Sequence, residues 1–273
     1  MGGESKAKRW RVEPDEKVDV TKRDPNDLSG APGDREATEA ATAELLEKIE
    51  DLQERLWAEN KQSLLVVLQA MDGGGKDGTI KKVFSGVNPQ GCRVTAFKEP
   101  SPVELAHDFL WRVHQVVPKH GEIAIFNRSH YEDVLIVRVH DIVPKKVWKE
   151  RYELISNFER TLVAAGTTVV KFFLHISKDE QADRFRKRLE KPTKQWKFRG
   201  ADLAERKLWD DYQDAYSDAI SKTSTDDAPW YVVPADHKWF RDWVVATVLV
   251  ETLERMDPQF PEPEEDLSSI VVE

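Results

Sequence analysis

The feature that most constrains this chain is a short apolar run that ends in glycines and a lysine: Leu64-Leu65-Val66-Val67-Leu68-Gln69-Ala70-Met71-Asp72-Gly73-Gly74-Gly75-Lys76-Asp77-Gly78-Thr79-Ile80. Residues 63–69 are too few for a helix and rich in branched side chains, the pattern of a strand covered on both faces. The glycines that follow admit backbone conformations closed to other residues, so N–H groups can turn inward around an anion. A helix starting beside them brings its positive dipole end, and a lysine ammonium there neutralises terminal phosphate oxygens. Strand, glycines, lysine and helix in this order predict a phosphate cradle. Its candidate phosphate-binding residues are Gly73, Gly74, Gly75, Lys76, Asp77, Gly78, Thr79 and Lys81. The plainer alternative is a glycine-rich strand–helix turn without a ligand.

The loop departs from the common G-x-x-x-x-G-K-[ST] pattern, with Ala70 for the first glycine and Asp77 where a magnesium-binding hydroxyl normally stands. Another group must then help hold magnesium. Asp72 is the candidate metal ligand, because a hard ion bridging phosphates prefers carboxylate oxygens. It is equally placed to orient or activate an acceptor phosphate.

Further strand-like runs occur at 92–97, 122–126, 168–176 and 230–233, with helical patterns at about 76–86, 102–117, 144–165, 178–190, 203–222 and 237–255. Long crossovers between buried strands imply a mostly parallel five-stranded α/β sheet with helices on both faces. Upstream, Leu45, Ile49, Leu52 and Leu56 recur in steps of four and three, which predicts an amphipathic helix over 36–60. Residues 1–35 are rich in Pro, Gly, Asp and Lys without a period, and 257–273 are acidic and proline-bearing. They are expected as an extended or disordered arm and an exposed tail flanking one domain over 36–256. Cys92, the single cysteine, reads as a small buried residue in a strand. No stretch approaches the roughly 18 apolar residues of a membrane span, and no secretory signal opens the chain, so a cytoplasmic location is expected.

In open α/β sheets functional groups gather beyond the carboxyl ends of strands. The third long strand ends there in Asn127-Arg128-Ser129-His130-Tyr131-Glu132-Asp133. Asn127 takes the place of a usual second magnesium-holding Asp, and Arg128 can clamp a phosphate bidentately. Glu132 or Asp133 either completes the metal's outer shell or forms a solvated acidic pair at a helix start. His130 is either a phosphoryl carrier or a positioned or surface histidine, the second being favoured because a single phosphate loop permits direct in-line transfer.

The formal charge is −9, yet residues 61–250 hold 30 basic against 26 acidic side chains, and Arg184–Arg199 holds eight basic against Glu190 alone. Such a run is either a solvated helix face or a cationic lid over 184–207, in which Arg184, Arg188, Lys194 and Lys197 bind phosphate and exclude water. Asp202 and Glu205 read as a capping pair that starts the helix after the lid.

With these residues in place the chain resembles the polyphosphate kinase 2 family over about residues 36–256. The resembling segments are SLLVVLQAMDGGGKDGTIKKVFSGVNPQGCRV, FKEPSP, HDFLWR, FNRSHYEDVLIVRVH and KQWKFRGADLAERKLWDDY. The resemblance implies a P-loop kinase fold similar to thymidylate kinase, magnesium dependence, and reversible transfer between inorganic polyphosphate and nucleoside mono- or diphosphates. By motif position it implies catalytic roles for Asp72 and Lys76 in the loop, Arg128 beside Asn127 in the second motif, and Lys197 and Arg206 in the lid; Asp133 joins Asp72 and Asn127 as a candidate metal ligand. The FNRSHYEDVL form resembles members that accept AMP as well as ADP. A homo-oligomer, dimer or tetramer, is expected from the family's habit and the amphipathic helix. Two other classes stay open: an ATP-dependent nucleotide or small-molecule kinase, and a non-catalytic polyanion binder. Nucleic acid and membranes are not expected partners, since the ends are acidic and no aromatics interleave the basic run.

Overall fold

The computed structural model describes residues 5–196, 198–263, 265, 267, 270 and 272. Six strands form one sheet: β1 (Arg11–Val12), β2 (Ser63–Gln69), β3 (Cys92–Ala96), β4 (Ile123–Asn127), β5 (Thr167–His175) and β6 (Trp230–Pro234). Their order is β1-β6-β5-β2-β4-β3, and every pairing is parallel except β1 with β6. The five expected strands are all present. β2 is buried along its whole length between β5 and β4, as its unbroken apolar run requires. β3 is a half-covered edge, so Cys92 is half-buried rather than enclosed.

The sixth strand lies in the segment expected as an arm. Residues 5–34 are ordered against the domain: Trp10 is 3 % exposed and meets Phe240 and Trp243 edge-on, at 6.2 and 5.6 Å between ring centroids. Val12, Val18 and Val20 are buried with it. Isolated apolar residues in an irregular segment leave no periodicity to read, and only the groove that receives them orders it.

The amphipathic helix runs over Arg35–Glu59, with the Asp34 carboxylate accepting from the Ala37 N–H at 2.9 Å and left-handed Asn60 closing it. Its apolar side packs on the C-terminal helix Lys238–Met256, so the face that suggested an oligomer is covered within the chain. The helix expected over 102–117 is two short ones, Pro102–Leu105 and Trp111–His114. Asp108 accepts the Leu110 N–H at 2.9 Å between them, a local bond that competes with helix. Among the described residues no helix is long and apolar enough to cross a membrane.

Candidate active site

β2 delivers the glycine loop to the point where the strands on its two sides diverge, the usual ligand crevice of such sheets. Gly73 and Gly75 have φ of +81° and +102°, and a Cβ on Gly75 would lie 2.1 Å from Nη1 of Arg241. Gly75 is therefore required by both backbone conformation and space. The helix Lys76–Val83 starts immediately after it. Lys76, 9 % exposed, folds back so that Nζ donates to the Ala70 carbonyl at 2.8 Å. Burial, and then the charge of Arg128, pull its pKa down to about 8 against the opposing carboxylates of Asp72, Glu132 and Asp77. Not all of the expected phosphate-binding residues face the crevice. Thr79 is fully buried and its hydroxyl donates to the Gly75 carbonyl at 3.3 Å, while Gly78, next to Arg241, and Lys81 are exposed on the loop helix.

At the end of β4 the chain turns sharply. Arg128 adopts φ +60°, and its guanidinium donates to Asp72 Oδ1 at 2.7 Å, spanning from one motif to the other. Burial lowers the Arg128 pKa, but Glu132 and Asp72 more than offset it, so the guanidinium stays charged. Asn127 donates through Nδ2 to Asp77 Oδ1 at 2.8 Å, which binds the second motif to the first turn of the loop helix. Glu132 sits among Arg128, Lys76 and Asp72, with burial raising its pKa. Asp133 points elsewhere: Arg151 donates to its Oδ1 at 3.0 Å, and Arg112 lies 3.9 Å from Oδ2. Of the two adjacent carboxylates, Glu132 belongs to the loop cluster and Asp133 to an ion-pair cluster.

His130 is wholly buried, with Nε2 3.2 Å from Glu159. Glu159 also receives Lys171 Nζ at 2.5 Å and the Tyr131 hydroxyl at 2.8 Å. This network lies inside the core, so His130 is a positioned histidine and not a phosphoryl carrier.

The basic segment divides by function. Arg184 is 6 % exposed and donates to the carbonyls of Gly73 (2.9 Å) and Ala235 (2.5 Å) while pairing with Glu180 (2.6 Å). It braces the phosphate loop and keeps little donor capacity for a ligand, contrary to its expected role. Arg188 stacks over Phe185 and lies 3.9 Å from Asp202. Arg206 donates to the Lys178 carbonyl and to Gln181 Oε1, and Gln181 in turn donates to the Asp72 carbonyl at 2.7 Å. Arg206 thus joins the root of the lid to the loop. Lys194 is exposed on the short helix Pro192–Gln195, and Lys197 lies outside the described residues. The expected Asp202–Glu205 capping pair does not form. Asp202 sits within the helix Ala201–Glu205, and Glu205 instead accepts from the Tyr212 hydroxyl at 2.7 Å.

Arg241 is the residue that reading the sequence missed. It is 2 % exposed, paired with Asp242 at 2.6 Å, and lies under Gly75. The only signal was a charged pair at the start of an otherwise apolar helix. For a metal, no three acidic, His or Cys side chains converge among the described residues. The donors still fit magnesium, which commonly takes one or two carboxylates and completes its shell with phosphate oxygens and water. Asp72 offers that carboxylate at the loop.

Residues 33–261 match the family model described as polyphosphate kinase 2. Over 97 % of its length the chain is 56 % identical to all of an AMP/ADP-polyphosphate phosphotransferase of Meiothermus ruber. It is 48 % identical to an ADP-polyphosphate phosphotransferase of Rhodopseudomonas palustris, covering 94 % of this chain and 93 % of that one. The crystal structure of polyphosphate kinase 2 from Arthrobacter aurescens TC1 superposes with a TM-score of 0.94 at 42 % identity, covering 97 % of this chain and 95 % of that one.

Proposed function

The chain belongs to the polyphosphate kinase 2 family, and from that membership we propose that it moves a phosphoryl group between inorganic polyphosphate and nucleoside mono- or diphosphates, AMP as well as ADP. The observation that carries this reading is the joining of Asp72, Lys76 and Arg128 at one glycine loop. In the synthetic direction a terminal phosphate oxygen of the nucleotide attacks the terminal phosphorus of polyphosphate. A new P–O bond forms as the anhydride bond to the next phosphate breaks, and the shortened polyphosphate leaves with that bond's electrons. The attacking oxygen is already ionised, so no base need remove a proton, and catalysis is positioning and charge stabilisation. Lys76 and Arg128 supply the positive charge, the loop N–H groups hold the non-bridging oxygens, and Arg206 with Gln181 keeps the lid root registered on the loop. Asp72 and Asn127 would hold magnesium, which would supply positive charge to offset the negative charge of the transferring phosphate.

A homo-oligomer also belongs to this reading, now supported by the open edge of β3, where Val94 is half exposed. Light scattering that returns a monomer at micromolar concentration would remove it.

Incubating the protein with polyphosphate, magnesium and each of AMP, ADP, GMP and GDP should give the next higher phosphate, AMP and ADP being used best. Lys76→Ala should lose about 10²-fold or more of the rate with its fold intact. Turnover that continues with ATP alone and gains nothing from polyphosphate would establish an ATP-dependent kinase instead.

A further inference from the structure

The root of the lid is tied to both sides of the phosphate loop by two neighbouring residues. β2 lies between β5 and β4, so the loop at its end has the helix Lys178–Glu190, which follows β5, on one side and the segment Asn127–Asp133, which ends β4, on the other. Arg206 reaches the first side, through the Lys178 carbonyl and Gln181. Glu205 reaches the second. Its Oε2 lies 3.0 Å from Nε2 of His140, the residue that closes the helix Ile136–Val139 next along the chain from that segment. A carboxylate can only accept, so Nε2 carries the hydrogen of this bond. The same oxygen accepts from the Tyr212 hydroxyl at 2.7 Å.

The His140 and Glu205 side chains are 34 % and 26 % exposed, so their bond adds little to stability. What it can fix is geometry. The helix Ile136–Val139 is itself fastened to the helix Trp209–Thr223 by Arg138, which donates to Asp218 Oδ2 at 2.7 Å and lies over the Trp148 ring at 4.7 Å. His140 is thereby a fixed post, and Glu205, at the end of the lid helix Ala201–Glu205, is the lid's attachment to it. Tyr212 keeps its proton for the same bond, because burial first, then Glu205 and the carboxylates of Glu132 and Asp72, raise its pKa.

We propose that Glu205 is a positioning residue for phosphoryl transfer: by joining Tyr212 and His140 it seats the lid root on the β4 side of the loop while Arg206 seats it on the β5 side. The proposal rests on the polyphosphate reading above. Glu205 touches no reacting atom and acts through the two residues it joins. A root held on one side only can pivot about Arg206, and a misplacement of about 1 Å in the groups around a reacting centre costs up to about 10²-fold in rate.

The test compares wild type with Glu205→Ala, His140→Ala, the double variant Glu205→Ala/His140→Ala and Glu205→Gln, in steady-state kinetics with polyphosphate and ADP, in urea unfolding and in limited trypsin digestion. Glu205→Ala should lose about tenfold in kcat with the KM for ADP and for polyphosphate near wild type, because register matters most in the transition state. His140→Ala should also lose kcat, and the double variant should be no slower than Glu205→Ala, as residues acting through one bond require. Glu205→Gln should recover most of the loss, since its amide oxygen accepts the same two hydrogens. Trypsin should cut Glu205→Ala faster than wild type after Lys194 and Arg199, both exposed in the lid, while the urea midpoint stays near that of wild type. An unchanged kcat overturns the proposal, as does a lid cut at the wild-type rate. So does a loss of kcat that is as large in Glu205→Gln or that comes with a lowered urea midpoint. A wild-type protein that ignores polyphosphate altogether refutes the underlying reading, and the proposal with it.

Discussion

Arg128 combines the charge proposed to clamp the phosphate with a conformation that disfavours its side chain, and the two can be separated by comparing Arg128→Gly with Arg128→Ala. Its φ is +60°, where a Cβ crowds the following carbonyl at a cost of about 1–2 kcal/mol. Glycine avoids that cost but loses about 0.5–1 kcal/mol more backbone entropy on folding. Both variants lose the 2.7 Å pair with Asp72, whose partners are 39 % and 29 % exposed and which therefore contributes no more than about 1 kcal/mol. Both keep the backbone N–H donating to the Leu68 carbonyl at 3.1 Å. The side-chain terms cancel, and Gly should be the more stable variant by about 1 kcal/mol, the reverse of the order at an ordinary helical position. Urea unfolding with equal slopes for the two variants measures this directly. Both should lose about 10²-fold or more in kcat, because the clamp on the transferring phosphate is gone from each. An alanine variant as stable as the glycine variant would refute the strain argument, and retention of turnover would take Arg128 out of the catalytic set.

The free protein's kcat/KM should fall above about pH 8, where Lys76, its pKa lowered chiefly by burial, releases the proton that makes it a phosphate ligand. Asp72→Asn removes a charge that holds this pKa up and should move whatever limb remains to lower pH; a limb unmoved in Lys76→Arg would belong to another group. At the arm, Trp10→Ala should destabilise the fold by about 3–5 kcal/mol in chemical denaturation, since the indole is enclosed against Phe240 and Trp243. A change within a few tenths of a kcal/mol would mean that residues 5–34 do not stay docked in solution.

The chain's own pattern determined the five long strands, the glycine loop and the helix after it, because each is a local matter. Unbroken apolar runs can only be buried strands here, and Gly73 and Gly75 announce backbone that other residues avoid. The residues that meet at this loop, Asp72, Lys76, Asn127 and Arg128, were equally legible, since each lies in the glycine loop or directly at the end of a strand. What each charge is paired with was decided by the tertiary structure alone. Arg184 and Lys187 belong to the same basic run, yet one is locked onto the Gly73 carbonyl and the other faces open cleft. Glu132 and Asp133 are neighbours in sequence, yet the first joins Lys76 and Arg128 while the second is taken by Arg151. Arg241, distant in the chain, supplies the cation beneath Gly75. The physical reason is the same in each case: the sequence states how many charges there are and on which element, but burial and the nearest opposite charge set what a charge does. Those depend on which distant helix the fold brings against it.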